Sequence, residues 1–198
     1  MQSLNKILTA AAMLAIVAGC NKTANDQANA PANASKTSDS ANSNDPIASA
    51  ESAAPAAVAH AAAIVSPQPD GTMKVLRAGS GIWTCMPDSP ATPGPDPMCF
   101  DKNAATWADA WVHHKPPPTD AAGVIYMLEG GTDASNIDPY ATKPTANNDW
   151  VKTGPHIMIV GSKAVLAGYP AGAKPDTSAP SVMWAGTPYA HLMVPVTR

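Results

Sequence analysis

The chain has 198 residues, of which 45% are hydrophobic and 14% are charged, and its formal net charge is -3. This length suits one globular domain with attached segments, because two domains of ordinary size would need roughly 300 residues. The low charge content, the 21 prolines and the slightly acidic balance exclude long salt-bridged helices, coiled coils and a basic surface for nucleic acid.

The first 19 residues have the parts of a secretory signal peptide. Lys6 supplies a positive charge, and residues 7–17 form an almost uninterrupted apolar run. This run is too short to cross a bilayer, since a spanning helix needs about 20 apolar residues. It ends in Val17-Ala18-Gly19-Cys20, which resembles the lipobox of bacterial lipoproteins. The resemblance implies that residues 1–19 are removed and that Cys20 becomes an acylated N-terminus.

Acyl chains on Cys20 would anchor the protein without a transmembrane helix, because each buried CH₂ contributes about 0.8 kcal/mol. The lipobox resemblance also concerns the next residue, because Asp at that position is associated with retention in the inner membrane. This chain has Asn21 there. We therefore expect an outer-membrane lipoprotein that faces the periplasm, with the membrane as its partner through the lipid and with no nucleic-acid partner.

The segment that follows Cys20 has the composition of a disordered spacer. Up to residue 63 it consists mainly of Ala, Asn, Ser, Asp and Thr, with three prolines, no aromatic residue and few large aliphatic residues. Such a segment buries too little apolar surface to offset its loss of conformational entropy. We expect residues 20–63 to tether the domain to the membrane, and we expect the globular periplasmic domain to comprise residues 64–198.

Strand patterns dominate residues 64–198. Apolar or alternating runs predict strands at 64–65, 73–77, 123–129, 155–160, 181–184 and 190–196. One helix is predicted from residue 103 to 113, capped by Asp101 or Asn103 and ended by three prolines, and a second, short one at 162–166. The spacing favours an α+β fold with a small, mainly antiparallel sheet, one or two short helices and Pro-rich loops.

The remaining two cysteines, Cys85 and Cys99, predict one disulfide. An exported domain lies in an oxidising compartment, and lipidation of Cys20 leaves an even number of thiols. The bridge would close a Pro-rich loop of 15 residues and contribute about 3 kcal/mol of stability. A redox-active pair is the alternative, but the C-x-x-C spacing that tunes such thiols is absent.

Two predicted strands carry a His-x-Met doublet. Alternation along a strand places His156 with Met158 on one face, and His191 with Met193 on one face. Imidazole and thioether are the ligands that Cu(I) prefers, so two such strands side by side would offer a His₂Met₂ site. Met127, on a third predicted strand, would be a reserve ligand.

Residues 154–160 look like the H-x-M strand of periplasmic copper chaperones, which implies Cu(I) as the ligand of this face. The structural alternative is that His and Met line a half-buried side of the sheet, with Met filling gaps in the core. The cofactor therefore stays open, with Cu(I) or another small ligand as the leading hypothesis. An envelope scaffold or a module that binds another envelope protein, without any small ligand, is the rival hypothesis.

Glu129 supports a third hypothesis, a hydrolase-type enzyme. It is the only Glu after residue 63 and ends the predicted strand 123–129, on the same face as Met127. A carboxylate beside His156 or His191 would form an acid–base pair that titrates near neutral pH. No nucleophile elbow, zinc-protease motif, Walker loop or dinucleotide fingerprint is present, so no catalytic residue is assigned.

Four blocks after Trp83 carry a second resemblance. They are residues 83–88, 96–99, 138–142 and 186–191. Together they resemble a family of exported bacterial proteins without an assigned activity, which implies a single exported domain and supplies no site residue.

Overall fold

The computed structural model describes residues 45–197. The predicted signal peptide, the lipidation site Cys20 and residues 20–44 of the predicted tether lie outside the described residues. The helices are α1 (Pro46–Ser52), α2 (Ala56–Ala59), α3 (Lys102–Val112) and a 3-10 helix at Lys163–Leu166. The strands are β1 (Ala63–Pro67), β2 (Met73–Arg77), β3 (Thr84–Met86), β4 (Met98–Phe100), β5 (Asp120–Met127), β6 (Ala134–Ser135), β7 (Trp150–Val151), β8 (His156–Ser162), β9 (Ser181–Met183) and β10 (His191–Pro195).

Eight of these strands form one sheet in the order β2-β1-β3-β4-β5-β8-β10-β9, and β6 pairs with β7 separately. The β1 and β3 strands are parallel, and every other pair is antiparallel. The predicted α+β class with a mainly antiparallel sheet is therefore confirmed. Within residues 45–197, no helix has both the length and the hydropathy that a membrane span requires.

The packed unit starts earlier than the predicted boundary at residue 64. Helix α1 begins after Asp45, whose carboxylate accepts a hydrogen bond from the Ile47 amide at 2.9 Å. Ala50, Ala53 and Ala59 are fully buried against the sheet. Residues 45–63 thus belong to the packed domain rather than to the tether, because alanine brings a helix backbone close to a sheet without a large side chain.

Arg77 of β2 ties these short helices to the edge of the sheet. Its guanidinium forms an ion pair with Glu51 of α1 and donates hydrogen bonds to the carbonyl oxygens of Ala59, at 2.6 Å, and Ala62, at 3.1 Å. A planar guanidinium with several donors satisfies carbonyls that a short helix leaves unpaired. The N-terminal helices are therefore fixed by polar contacts as well as by burial.

The disulfide lies under α1. Cys85 of β3 and Cys99 of β4 are directly paired in the ladder, are bonded to each other and are both fully buried. This confirms the predicted bridge. The strands β3 and β4 were not predicted, because three residues beside a Pro-rich loop show no period of their own.

Helix α3 covers the opposite face of the sheet. Asp101 caps it by accepting a hydrogen bond from the Ala104 amide at 2.8 Å, so the predicted helix and cap are confirmed. The helix meets the sheet at Gly123 of β5, where an added Cβ would lie 2.2 Å from the Ala104 nitrogen. Glycine at that position lets α3 press Trp107 into the core.

Candidate functional site

The five residues of the predicted His/Met site lie on one face of the sheet. In the antiparallel register, Met193 of β10 pairs with Met158 of β8, and His156 pairs with Met127 of β5. His191 lies two residues before Met193 and shares its face, since alternate residues of a strand point to the same side. We call these five residues the His/Met face.

The strand register separates the backbone positions of the two histidines along this face. His156 pairs with Pro195, which lies four residues beyond His191 on β10. At about 3.3 Å per residue, the two histidine positions are offset by roughly 13 Å along the strands. The pair Met158 and Met193 lies between them, so the order of donors is imidazole, two thioethers, imidazole. The shared face that the doublets predict is present, and the four side chains form a row.

Most of the His/Met face is buried. His156 is 5% exposed, His191 is 1% exposed and Met127 is also buried, whereas Met158 and Met193 are half-buried. Met127 belongs to the core under α3, and the two half-buried methionines pack against that core. Gap filling by methionine in a core therefore describes part of what these side chains do.

Both imidazoles are held in one tautomer by backbone carbonyls. The Nδ1 atom of His156 lies 2.7 Å from the Gly154 oxygen, and Nδ1 of His191 lies 3.0 Å from the Tyr189 oxygen. Because a carbonyl oxygen only accepts, each Nδ1 carries the proton and donates it. Each Nε2 then presents a lone pair, as metal-ligating histidines do when their other nitrogen donates to a carbonyl.

Burial keeps both rings neutral near pH 7. It lowers the pKa of His156 below the ordinary value of 6.5, against the opposing effect of its bond to Gly154. Burial, opposed by the bond to the Tyr189 oxygen and aided by the His156 imidazole, lowers the pKa of His191 to about 4. A neutral imidazole is the form that binds a metal ion, so neither ring has to lose a proton on binding.

A cavity of about 280 Å³ opens beside one end of the His/Met face. His156 and Met193 line it, together with Met183 and Ser181 of β9 and the loop residues Asn136 and Pro175. We call it the His156 cavity. Its wall is mainly apolar, with a few polar groups, which is the usual character of a small-molecule site.

Sequence reasoning missed Met183 as a site residue. Met183 pairs with His191 across β9 and β10, and Ser181 pairs with Met193, so both side chains share the His/Met face. The alternation in Ser181-Val182-Met183 predicts one face for these two residues. Which strand β9 would pair with could not be derived, because that pairing depends on residues far apart in the chain.

Trp184 and Trp107 enclose His191. Their rings lie 4.8 Å and 5.5 Å from the imidazole between centroids, both in T-shaped arrangements. The Trp184 indole nitrogen donates to the Ser135 oxygen at 2.9 Å, and its backbone has a positive φ of 55°. A bulky residue in that region is strained, and such strain concentrates at functional sites.

Glu129 lies just beyond the end of β5. The strand ends at Met127, and a turn closed by the Gly130 amide and the Met127 oxygen at 3.1 Å follows, so Glu129 is in a turn rather than on the predicted strand face. Glu129 lines a different cavity of about 370 Å³ with Asp133 and Lys152. The Nδ1 atoms of both imidazoles bond to backbone carbonyls, so neither Nδ1 is available to a carboxylate.

Within residues 45–197, no three or more His, Cys, Asp or Glu side chains cluster in a way that could hold a metal ion. A metal site on the His/Met face would therefore depend on thioether sulfur. Ions that prefer oxygen ligands, such as Mg²⁺ and Ca²⁺, do not suit this donor set, whereas Cu(I) does.

No protein-family model matches the chain, and neither curated proteins nor solved structures give a match.

Proposed function

We propose that this protein is a lipid-anchored envelope protein that binds a soft metal ion, Cu(I), through its His/Met face. The observation that carries the proposal is the His156 imidazole. Its Nδ1 proton is fixed on the Gly154 oxygen at 2.7 Å, and the ring lines an open cavity beside the thioether of Met193. A fixed imidazole and a mobile thioether on one cavity wall form a soft donor set that a small ion can reach.

The chemistry of these donors favours Cu(I) over harder ions. Thioether sulfur carries no charge and binds weakly to hard cations, whereas Cu(I) accepts it and tolerates low coordination numbers. His156 and Met193 would hold the ion at the cavity. Met158, paired with Met193, and Met127, paired with His156, would complete the site. Methionine has three rotatable bonds, so the sulfurs can turn toward an ion without moving the sheet.

Anchoring in the outer membrane is part of the same proposal. It rests on the lipobox Val17-Ala18-Gly19-Cys20 and on Asn21. A metal-binding domain on an acylated cysteine would act in the periplasm. Mass spectrometry of the mature N-terminus tests this proposal. We expect a chain that starts at an acylated Cys20, and an unmodified N-terminus at another residue would contradict it.

A small organic ligand is the second candidate for the His156 cavity. The cavity volume of about 280 Å³ and its apolar wall suit a compact molecule with one hydrogen-bond donor for the His156 Nε2 atom. Such a ligand would depend on His156 but would tolerate the change of a thioether to an isosteric hydrocarbon. A Met193→Leu variant therefore distinguishes the two candidates.

The test is an anaerobic Cu(I) titration of the full-length protein against a chromophoric chelator, with ascorbate as reductant so that the disulfide stays intact. We expect His156→Gln and Met193→Leu each to weaken Cu(I) binding at least tenfold. Matched controls are His60→Gln and Met73→Leu, because both residues are exposed and lie away from the face. The controls should bind as the wild type does.

Equal, weak Cu(I) uptake by the wild type and both site variants would contradict the metal proposal. A scaffold or protein-interaction module would then be the better account of the domain. If only His156→Gln alters the binding of small molecules, and Cu(I) does not bind, the organic-ligand candidate takes precedence.

A further inference from the structure

The His191 imidazole has a buried nitrogen that lacks a hydrogen-bond partner. Its Nδ1 donates to the Tyr189 oxygen at 3.0 Å, and its Nε2 is among the buried polar atoms in the described part of the chain that make no hydrogen bond. Leaving a buried acceptor unsatisfied costs roughly 1–3 kcal/mol. Such an atom in a folded protein therefore points to a ligand that uses it.

Two methionines, Met183 and Met193, neighbour His191 in the sheet. Met183 lies directly opposite His191 in the β9–β10 ladder, where paired Cβ atoms are about 5 Å apart. Met193 lies two residues along the same strand, on the same face. Met183 and Met193 also line the His156 cavity. Both methionines therefore line the cavity and neighbour His191 in the sheet.

We propose that His191 and Met183 form a second, inner Cu(I) position, filled from the His156 cavity by way of Met193. This inference rests on the proposed function, because it assumes that Cu(I) first reaches the cavity. The backbone positions of the two histidines are offset by roughly 13 Å along the strands, which leaves room for two separate ions on this face. The domain would then hold two ions in a row.

The transfer needs no redox chemistry and no proton release. The ion moves by ligand exchange: Met193 binds it at the cavity, Met183 joins, the bond to His156 breaks and a bond to His191 Nε2 forms. The bond to Met193 then breaks, so that Met193 can bind the next ion in the cavity. Copper stays Cu(I) throughout, and Nε2 is already unprotonated because Nδ1 carries the ring proton. Trp184 and Trp107, both buried, pack against the His191 ring and shield the inner position from water.

The test combines stoichiometry with histidine nitrogen NMR on the full-length protein. Cu(I), or Ag(I) as a redox-inert probe with similar ligand preference, is added in steps. We expect two equivalents to bind. The first should shift the unprotonated Nε2 resonance of His156, and the second should shift that of His191.

Substitutions test which residues bind the second equivalent of the metal ion. Met183→Leu keeps the volume of the side chain and should weaken the second equivalent at least tenfold while leaving the first unchanged. Met98→Leu is the matched control, because Met98 packs against the same core from β4. His191→Phe keeps a ring between the tryptophans and should abolish the second equivalent.

Binding of one equivalent by the wild type, with the His156 resonance shifted and the His191 resonance unmoved, would overturn the inner position while leaving the proposed function standing. Failure of the wild type to bind either ion would overturn both. Because the NMR readout uses the wild type, a His191→Phe variant that fails to fold does not affect the conclusion.

Discussion

Acidification should destabilise this domain well above the pH at which carboxylates protonate. His191 is neutral and buried in the folded state, where its pKa is about 4, against 6.5 as the ordinary value. The unfolded chain therefore binds a proton at His191 at a pH where the folded protein does not. Its contribution to stability is complete above about pH 6.5 and is lost as the pH falls toward 4.

The size of the effect follows from the two pKa values. Each pKa unit of difference corresponds to about 1.4 kcal/mol, so the free energy of unfolding should fall by about 3 kcal/mol across this range. Burial also lowers the pKa of His156, which adds to the loss. Burial raises the pKa of Asp96, which acts in the opposite sense. The loss of stability from the two histidines should exceed the gain from Asp96. The carboxylates of Asp70 and Asp176 have lowered pKa values and titrate below this pH range, so they contribute little to it.

Urea unfolding of the metal-free, full-length protein between pH 7.5 and 4.5 measures this loss, since the free energy of unfolding is obtained at each pH. His191→Phe should flatten the pH dependence, and His60→Gln should leave it unchanged because His60 is exposed. A wild-type curve that is flat between pH 6.5 and 4.5, or one that His191→Phe leaves unchanged, would refute the inference that His191 is buried and neutral.

Two further predictions concern the other face of the sheet. Ala50→Leu should lower the free energy of unfolding by about 1–3 kcal/mol, because Ala50 is fully buried against the disulfide, whereas Ala57→Leu at an exposed position should change it little. Equal free energies of unfolding for the two variants in urea would mean that α1 does not pack against the sheet. The double change Cys85→Ala with Cys99→Ala should cost about 3 kcal/mol, since it reopens a loop of 15 residues. An unchanged midpoint of thermal unfolding would contradict that estimate.

The sequence predicted those features that depend on residues close together in the chain. Alternation in β8 and β10 placed His156 with Met158 and His191 with Met193, and the structure keeps both pairs on one side. The cap at Asp101 followed from a short polar side chain before an apolar period. Such local patterns need no knowledge of the partner strand.

The rest required contacts between distant residues. Composition alone assigned residues 45–63 to the tether, since burial of bare alanine depends on how closely α1 approaches β3 and β4. The position of Glu129 depended on where β5 ends, and a period-2 pattern does not mark a strand end. The contribution of Met183 depended on β9 pairing with β10. The local sequence pattern therefore predicted the candidate metal ligands, whereas the strand order determined which of them are neighbours.

X-ray absorption spectroscopy of the full-length protein loaded with one equivalent of Cu(I) tests the central claim most directly, because it reports the atoms bound to copper. We predict a first shell of both sulfur and imidazole nitrogen, with the imidazole contribution reduced in His156→Gln. A first shell of nitrogen and oxygen alone, without sulfur, would contradict binding through the His/Met face.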